Sequence, residues 1–231
     1  MRSRIAIIPA RQGSKRIPGK NIKLFLGKPI IGYSIQAAFK SDLFDEVMVS
    51  TDSEEIAEIS RKLGANVPFL RSAQTSDDFT GIAEVILEVL NNYELKERTF
   101  DYLCCIFPTA PLITEKHLKE GFKLLIDNNF DSVFPVLRFS YPILRSLKKS
   151  NGKFEMNWPE YFNSRSQDLP PAYHDAGQFY WMKTQCFLDQ KRIFAKNTGG
   201  IELSELEIQD IDNETDWAIA EMKYKIINKL D

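Results

Sequence analysis

The feature that most limits the fold of this chain is a change of hydrophobic period, repeated along its first 138 residues. Short β-rich apolar runs alternate with longer segments of helical spacing. "RIAIIPA", "DEVMVSTD", "VPFL", "DYLCCIFPTAPL" and "DSVFPVL" read as strands. Between them, "PIIGYSIQAAFK" can place Ile31, Ile35, Ala38 and Phe39 on one helical face. Ile82, Ile86, Val89 and Leu90 do the same in the next helical stretch but one, as do Leu118, Phe122 and Leu125 in the one after it. "SEEIAEISRKLG" carries its own boundaries. Ser53 can cap, Glu54 and Glu55 suit the first turn, Ile56, Ile59 and Leu63 form a stripe, Arg61 and Lys62 suit the last turn, and Gly64 stops it. Strands alternating with helices of this length imply βαβ units and an α/β fold with a largely parallel sheet. Such sheets take ligands at the carboxyl ends of their strands. The loops at those ends begin near Pro9, Ser50 and Pro108.

After residue 138 the pattern breaks. "RFSYPILRSLKKSNGKFEMNWPEY" reads as a hairpin turned at Asn151-Gly152, a strong turn signal. "FNSRSQDLPPAYHDAGQ" is proline-broken and aperiodic, "FYWMKTQCFLD" returns to strand and short helix, and "LEIQDIDNETDWAIAEMKYKIINKL" reads as a strand, an acidic turn and a closing amphipathic helix. The expected organisation is one domain over 1–231, with an excursion at 138–175 from a sheet completed later. A chain of 231 residues can bury a substantial core. A net charge of −2 disfavours a general nucleic-acid binder, and no run approaches the length of a membrane span. Three cysteines at 104, 105 and 186 have no metal-binding spacing and leave an odd thiol, which fits a reducing cytoplasm; Cys104 and Cys105 read as core.

The average charge hides an asymmetry. Residues 1–41 hold nine Lys or Arg and no acid, whereas 197–222 hold eight Asp or Glu and no Lys or Arg. "IIPARQGSKRIPGKN" concentrates Arg11, Lys15, Arg16 and Lys20 on one loop punctuated by Gly13 and Gly19. Glycine lets backbone N–H groups converge on a phosphate, and cations offset its charge. The loop matches neither G-x-x-x-x-G-K-[ST] nor G-x-G-x-x-G. A polyphosphate or nucleotide, a nucleic-acid backbone and a plain solvated surface remain its three readings. In "QDIDNETD", Asp210 and Asp212 alternate on what reads as a strand end, so their carboxylates point the same way. Two such charges are costly unless a cation lies between them, and oxygen-only ligands with room for phosphates suit Mg²⁺. The alternative is a helix start, with Asp212 or Asn213 as cap and Glu214 and Asp216 on the dipole. A cationic loop and a diacid are two halves of a Mg-nucleotide site, so each strengthens the other. His117 reads as solvent-facing on its helix, and His174 as a site contact or a structural hydrogen bond.

These residues resemble a known family. "IPARQGSKRIPGKN" looks like the N-terminal signature of the CMP-sugar synthetases, cytidylyltransferases that activate nonulosonic acids such as sialic acid. The resemblance continues through "VSTDSEEIAEISRKLGANV", "LRSAQTSDD", "FPTAPL", "RSQDLPPAYHDAGQFYW" and "IQDIDNETDWAIAE". Arg165–Trp181 is most similar to the pseudaminic acid branch. The resemblance implies a Rossmann-like, nucleotide-diphospho-sugar transferase fold and a reaction of CTP with a nine-carbon keto-sugar acid, using Mg²⁺. Arg11, Gly13, Ser14, Lys15 and Lys20 would hold the triphosphate, with Asn21 near the nucleotide and Lys20 also catalytic. Arg71 with Ser76, Asp77 and Asp78 would recognise cytosine and ribose. Asp210 and Asp212 would bind the metal, and one of them would help deprotonate the sugar hydroxyl. Arg165 and Gln167 fall in the sugar-carboxylate region, and Gly177 and Gln178 in the segment the sugar approaches. The excursion resembles the family's dimerisation element, with Arg145 as candidate to reach a partner's site in a homodimer. Arg16 reads as a plain surface charge. One departure stands out: sialic acid synthetases usually have Gln where this chain has Phe107. That favours a less hydroxylated, deoxy and N-acylated sugar acid such as pseudaminic acid. Other nonulosonic acids (sialic, legionaminic or Kdo-type), or a nucleotide-binding homologue without catalysis, are the alternatives.

Overall fold

A computed structural model describes residues 2–230. The chain begins with β1 (Arg4–Pro9) and a small hairpin, β2 (Leu24–Phe25) and β3 (Lys28–Pro29). Helix α1 (Ile31–Ser41), β4 (Glu46–Ser50), α2 (Glu54–Lys62), α3 (Ile82–Glu94), β5 (Tyr102–Ile106), α4 (Glu115–Asp127) and β6 (Ser132–Arg138) follow. A second hairpin, β7 (Leu147–Ser150) and β8 (Lys153–Met156), leads to β9 (Tyr173–Asp175), β10 (Phe179–Lys183), α5 (Thr184–Gln190), β11 (Thr198–Glu202) and α6 (Glu214–Asn228). The main sheet runs β11-β6-β10-β5-β1-β4, with β9 paired to β6. β4, β1, β5, β6 and β11 point one way, whereas β10 is antiparallel to both β5 and β6. The largely parallel α/β architecture expected from the sequence is the one observed.

The central strands are buried on both faces, as their unbroken apolar runs require. Ile5, Ile7 and Ile8 of β1 and Leu103, Cys104 and Cys105 of β5 are fully inaccessible. Helix α2 begins as its sequence dictates, with the Ser53 side chain accepting from the Ile56 N–H. Its buried face is Ile56, Ala57 and Ser60. Leu63, expected on the apolar stripe, is instead the cap residue and 39% exposed. Asn151 and Gly152 both take positive φ, 50° and 79°, the geometry a two-residue turn needs to join β7 to β8.

Two expected strands are absent. "VPFL" forms no strand: an isolated bridge, Met48 to Asn66, lies just before it, and Pro68 has no N–H to continue a ladder. The stretch before the acidic turn is a short 3-10 turn, Glu205–Glu207, and then unpaired chain. Asp210 and Asp212 therefore do not lie on a strand end. Ile211 between them is fully buried beside Trp217, and this leaves its two neighbours outside. Among the described residues no helix is long and apolar enough to cross a membrane.

Candidate active site

The carboxyl edge of the sheet carries two clefts. The first, about 470 Å³, is lined by the basic loop, by Arg71, Asp78 and Thr80, and by Phe107. Gly13, Ser14, Lys15 and Arg16 all line it, and among the described residues their N–H groups meet no acceptor. Consecutive free amides beside cations form a cradle for an anion. The loop is nonetheless anchored. The Gln12 N–H donates to Asp52 Oδ1 at 2.8 Å. Asn21, buried, donates through Nδ2 to the Arg11 carbonyl at 2.8 Å, so it holds the loop's shape. Ile17, 1% exposed, inserts into a cluster with Phe25, Ile30, Ile211 and Trp217.

That cluster brings the two charged segments together. Ile17 lies next to Arg16, and Ile211 lies between the two aspartates, so packing one against the other sets cation beside acid. Arg16 Nη1 pairs with Asp212 Oδ2 at 2.6 Å, which corrects its reading as a plain surface charge. Lys20 Nζ donates to the Ile211 carbonyl at 2.7 Å. Burial lowers the Lys20 pKa, and the charges of Asp212 and Asp210 oppose that shift. Burial raises the Asp210 pKa, and the neighbouring Asp212 charge adds to the rise. The acid missing from the basic loop is also supplied by Asp78, which pairs with Arg11 at 2.6 Å and with Lys15. These cations, above all Lys15, hold the Asp78 carboxyl below its usual range.

Other expected nucleotide residues divide by role. Arg71 is almost buried, donating from Nε to Ser50 Oγ at 3.1 Å and from Nη2 to the Ser50 carbonyl at 2.7 Å. Those bonds use two of its five donors while it lines the cleft. Ser76 and Asp77 shape their loop: Ser76 Oγ donates to the Ser72 carbonyl, and Asp77 Oδ1 accepts from Phe79 and Thr80. The residues of that loop lining the cleft are Asp78 and Thr80. Thr80 escaped the sequence reading because nothing in its spacing marks it.

The second cleft, about 560 Å³, shares Phe107 with the first. Its walls include Asp175, Gly177, Tyr180, Asp210 and Lys223. The reversed direction of β10 explains why: its N-terminal end, entered from Gly177, lies at the carboxyl edge of its neighbours. Gly177 has φ +62°, and a Cβ there would meet nothing closer than Phe107 at 3.9 Å. Gln178 is buried and donates to the Glu207 carbonyl at 2.6 Å, while among the described residues its Oε1 meets no donor. Phe107 is pinned through its backbone, its N–H to the Gln178 carbonyl and its carbonyl to Ser34 Oγ. Tyr180, Asp175 and Lys223 were missed, since a strand tyrosine and a lysine on a terminal helix look like core and surface in sequence.

Four expected sugar-binding residues line neither cleft: Gln178 and three on the excursion. Gln167 lines a separate groove near Pro170. Arg165 is exposed and forked onto Asp168 at 2.7 and 3.3 Å, and Arg145 donates to Ser166 Oγ at 3.3 Å. His117 is buried rather than solvent-facing, its Nε2 3.3 Å from Glu207 Oε1. His174 is exposed, with Nδ1 2.9 Å from the Asp175 carbonyl oxygen.

Comparison with known proteins agrees with this geometry. A family model described as cytidylyltransferase matches residues 5–228. A pseudaminic acid cytidylyltransferase of Campylobacter jejuni is 40% identical over 223 residues, 96% of each chain. A CMP-N,N'-diacetyllegionaminic acid synthase of Legionella pneumophila is 32% identical over 227 residues, 94% of each chain. A solved CMP:2-keto-3-deoxy-manno-octonic acid synthetase in complex with CTP shares the fold, with TM-score 0.69 at 15% identity over 99% of this chain and 100% of that one. The basic loop, the diacid and the sheet that joins them thus lie in a chain matched almost end to end: this protein belongs to the cytidylyltransferase family.

Proposed function

We propose that the protein is a pseudaminic acid cytidylyltransferase, which transfers CMP from CTP to the anomeric hydroxyl of the sugar acid. The observation that carries this is the pair of clefts meeting at Phe107, one lined by cations and free amides, the other by Asp210. The triphosphate belongs with the amides of 13–16, Arg11, Lys15 and Lys20, and cytosine on the side of Arg71 and Thr80. The sugar acid belongs in the second cleft, beside Gly177. A bond forms between the anomeric oxygen and the α-phosphorus, and the bond to the bridging oxygen breaks. The electron pair leaves with pyrophosphate. Asp210, the carboxylate of the pair that lines the second cleft, takes the hydroxyl proton. Such transfers ask a protein mainly for positioning and charge neutralisation.

The donor set fits Mg²⁺. Asp210 and Asp212 are mutually repelling carboxylates, and among the described residues no group of three or more His, Cys, Asp or Glu could close a cage. Mg²⁺ is bound by one or two carboxylates plus substrate phosphates and water. When held there it would neutralise charge on the phosphoryl oxygens. The apolar face of Phe107 favours a deoxy sugar at that wall over a hydroxylated one. A homodimer through 138–175 belongs to the same reading. Exposed Tyr141, Leu147, Phe154 and Phe162 support it, as does the position of Arg145 and Arg165 outside both clefts of their own chain. The test is pyrophosphate release with CTP and Mg²⁺ across pseudaminic, legionaminic, sialic and Kdo-type acids. Fastest turnover is expected with pseudaminic acid; no release with any of them overturns the reading. A monomer by sedimentation at assay concentrations overturns the dimer.

A further inference from the structure

We infer that Lys223, on the closing helix α6, anchors the carboxylate of the sugar acid; this rests on the assignment of the second cleft to that substrate. A carboxylate entering a cleft that already holds acids needs a cation with spare capacity. Lys223 is the one Lys or Arg among the residues lining that cleft. Asp175 is already committed, one oxygen accepting the Tyr180 hydroxyl at 2.6 Å and the other the Gly177 N–H at 2.9 Å. Lys223 is differently placed. Its Nζ donates to the Ile208 carbonyl at 2.7 Å and to Gln209 Oε1 at 2.9 Å, both neutral acceptors. An ammonium has three donors, so one remains. No carboxylate among the described residues forms an ion pair with it; Glu205 acts on it only through space, burial outweighs that charge, and a half-buried cation so weakly compensated is costly. An anionic substrate would offset that cost.

The chemistry of the acid adds an independent argument. Its carboxylate and its attacking hydroxyl are both borne by the anomeric carbon. The cation that grips one must lie close to the group that handles the other. Lys223 holds Ile208 and Gln209, the two residues immediately before Asp210. It thus ties the carboxylate anchor to the base within one short segment. Arg165 lacks this relation, since it is paired with Asp168 and lines neither cleft of its own chain.

The experiment compares wild type, Lys223→Met, Lys223→Arg and Arg165→Met on pseudaminic acid and on its carboxamide, with CTP held saturating. Lys223→Met should raise the KM for the acid about tenfold to a hundredfold, the loss expected for a hydrogen bond to a charged group. The KM for CTP, measured separately at saturating acid, should not move. On the carboxamide, wild type and Lys223→Met should be equal, and Lys223→Arg should recover part of the loss on the acid. An unchanged KM in Lys223→Met overturns the anchor. So does an equal loss on acid and carboxamide, which would make Lys223 a strut for the Ile208–Gln209 segment. A carboxylate-dependent loss in Arg165→Met with none in Lys223→Met also overturns it. Wild type inactive on every acid overturns the parent reading, and the anchor with it; an active wild type with an unresponsive Lys223→Met overturns the anchor alone.

Discussion

Replacing Ile17 by Ala tests whether packing, rather than charge, organises the cationic loop. Ile17 is 1% exposed and sits in a cluster with Phe25, Ile30, Tyr33, Ile211 and Trp217. The change removes three carbons, roughly 2.4 kcal/mol of transfer free energy at about 0.8 kcal/mol each. A residual cavity adds to this, and measured losses for such changes run about 2–5 kcal/mol. At about 3 kcal/mol, a chain of this size should melt roughly 6–12 °C lower. The loop can also detach without global unfolding, since the amides of 13–16 are tied to nothing else in the described chain. Local opening then limits the fall in melting temperature. The same 3 kcal/mol would move the docking equilibrium of the loop by roughly 150-fold, and apparent CTP affinity falls with the docked fraction. The expected outcome is a lower melting temperature, faster amide exchange over residues 10–20 and a raised KM for CTP. Ile17→Val, which loses one methylene, should cost about 1 kcal/mol and leave the KM near wild type. A variant that melts early but keeps wild-type exchange and CTP KM would refute the claim that this contact organises the cations. One unchanged in all three would refute the packing itself.

Asp212→Asn should lose activity by about a hundredfold or more with an unchanged circular dichroism spectrum. Its pair with Arg16 is solvent-exposed, so stability should change by less than about 1 kcal/mol. Glu207 titrates below its usual 4.5, chiefly because the Ser204 hydroxyl and N–H, and then His117, hold its carboxylate. A depressed folded pKa gives stability that is present above pH 4.5 and lost as pH falls through the folded value. Glu207→Gln should therefore flatten the acid limb of wild-type stability below that pH, read by thermal melts from pH 7 to 3. Gly177→Ala should cost about 1–2 kcal/mol for left-handed backbone and no clash, because Phe107 is 3.9 Å away. Its larger effect should be a raised KM for the sugar acid with little change for CTP.

Local sequence was enough to read the layers, the carboxyl edge of the sheet as the place for a ligand, and the two charged segments. Those properties are local: the period of apolar residues, the caps of α2, the Asn151-Gly152 turn and the absence of any acid between Arg11 and Lys20 are all written in neighbouring residues. It picked out Asp210 and Asp212 as alternating on a strand end, whereas the structure has no strand there, and it is buried Ile211 that leaves the two at the surface. The tertiary structure alone decided what depends on distant partners. Antiparallel insertion of β10 puts Gly177 beside Phe107, joining two clefts that no spacing foretells. Packing of Ile17 on Ile211 across nearly the whole chain sets Arg16 against Asp212, and Asp78 comes from another loop to neutralise Arg11 and Lys15. His117 is held inside beside Glu207, and Lys223 lines a cleft because α6 packs its ammonium against the Ile208–Gln209 segment. Helical period states which side of a helix is apolar; only the contact made by the opposite element decides whether a polar residue on its margin meets water or a substrate.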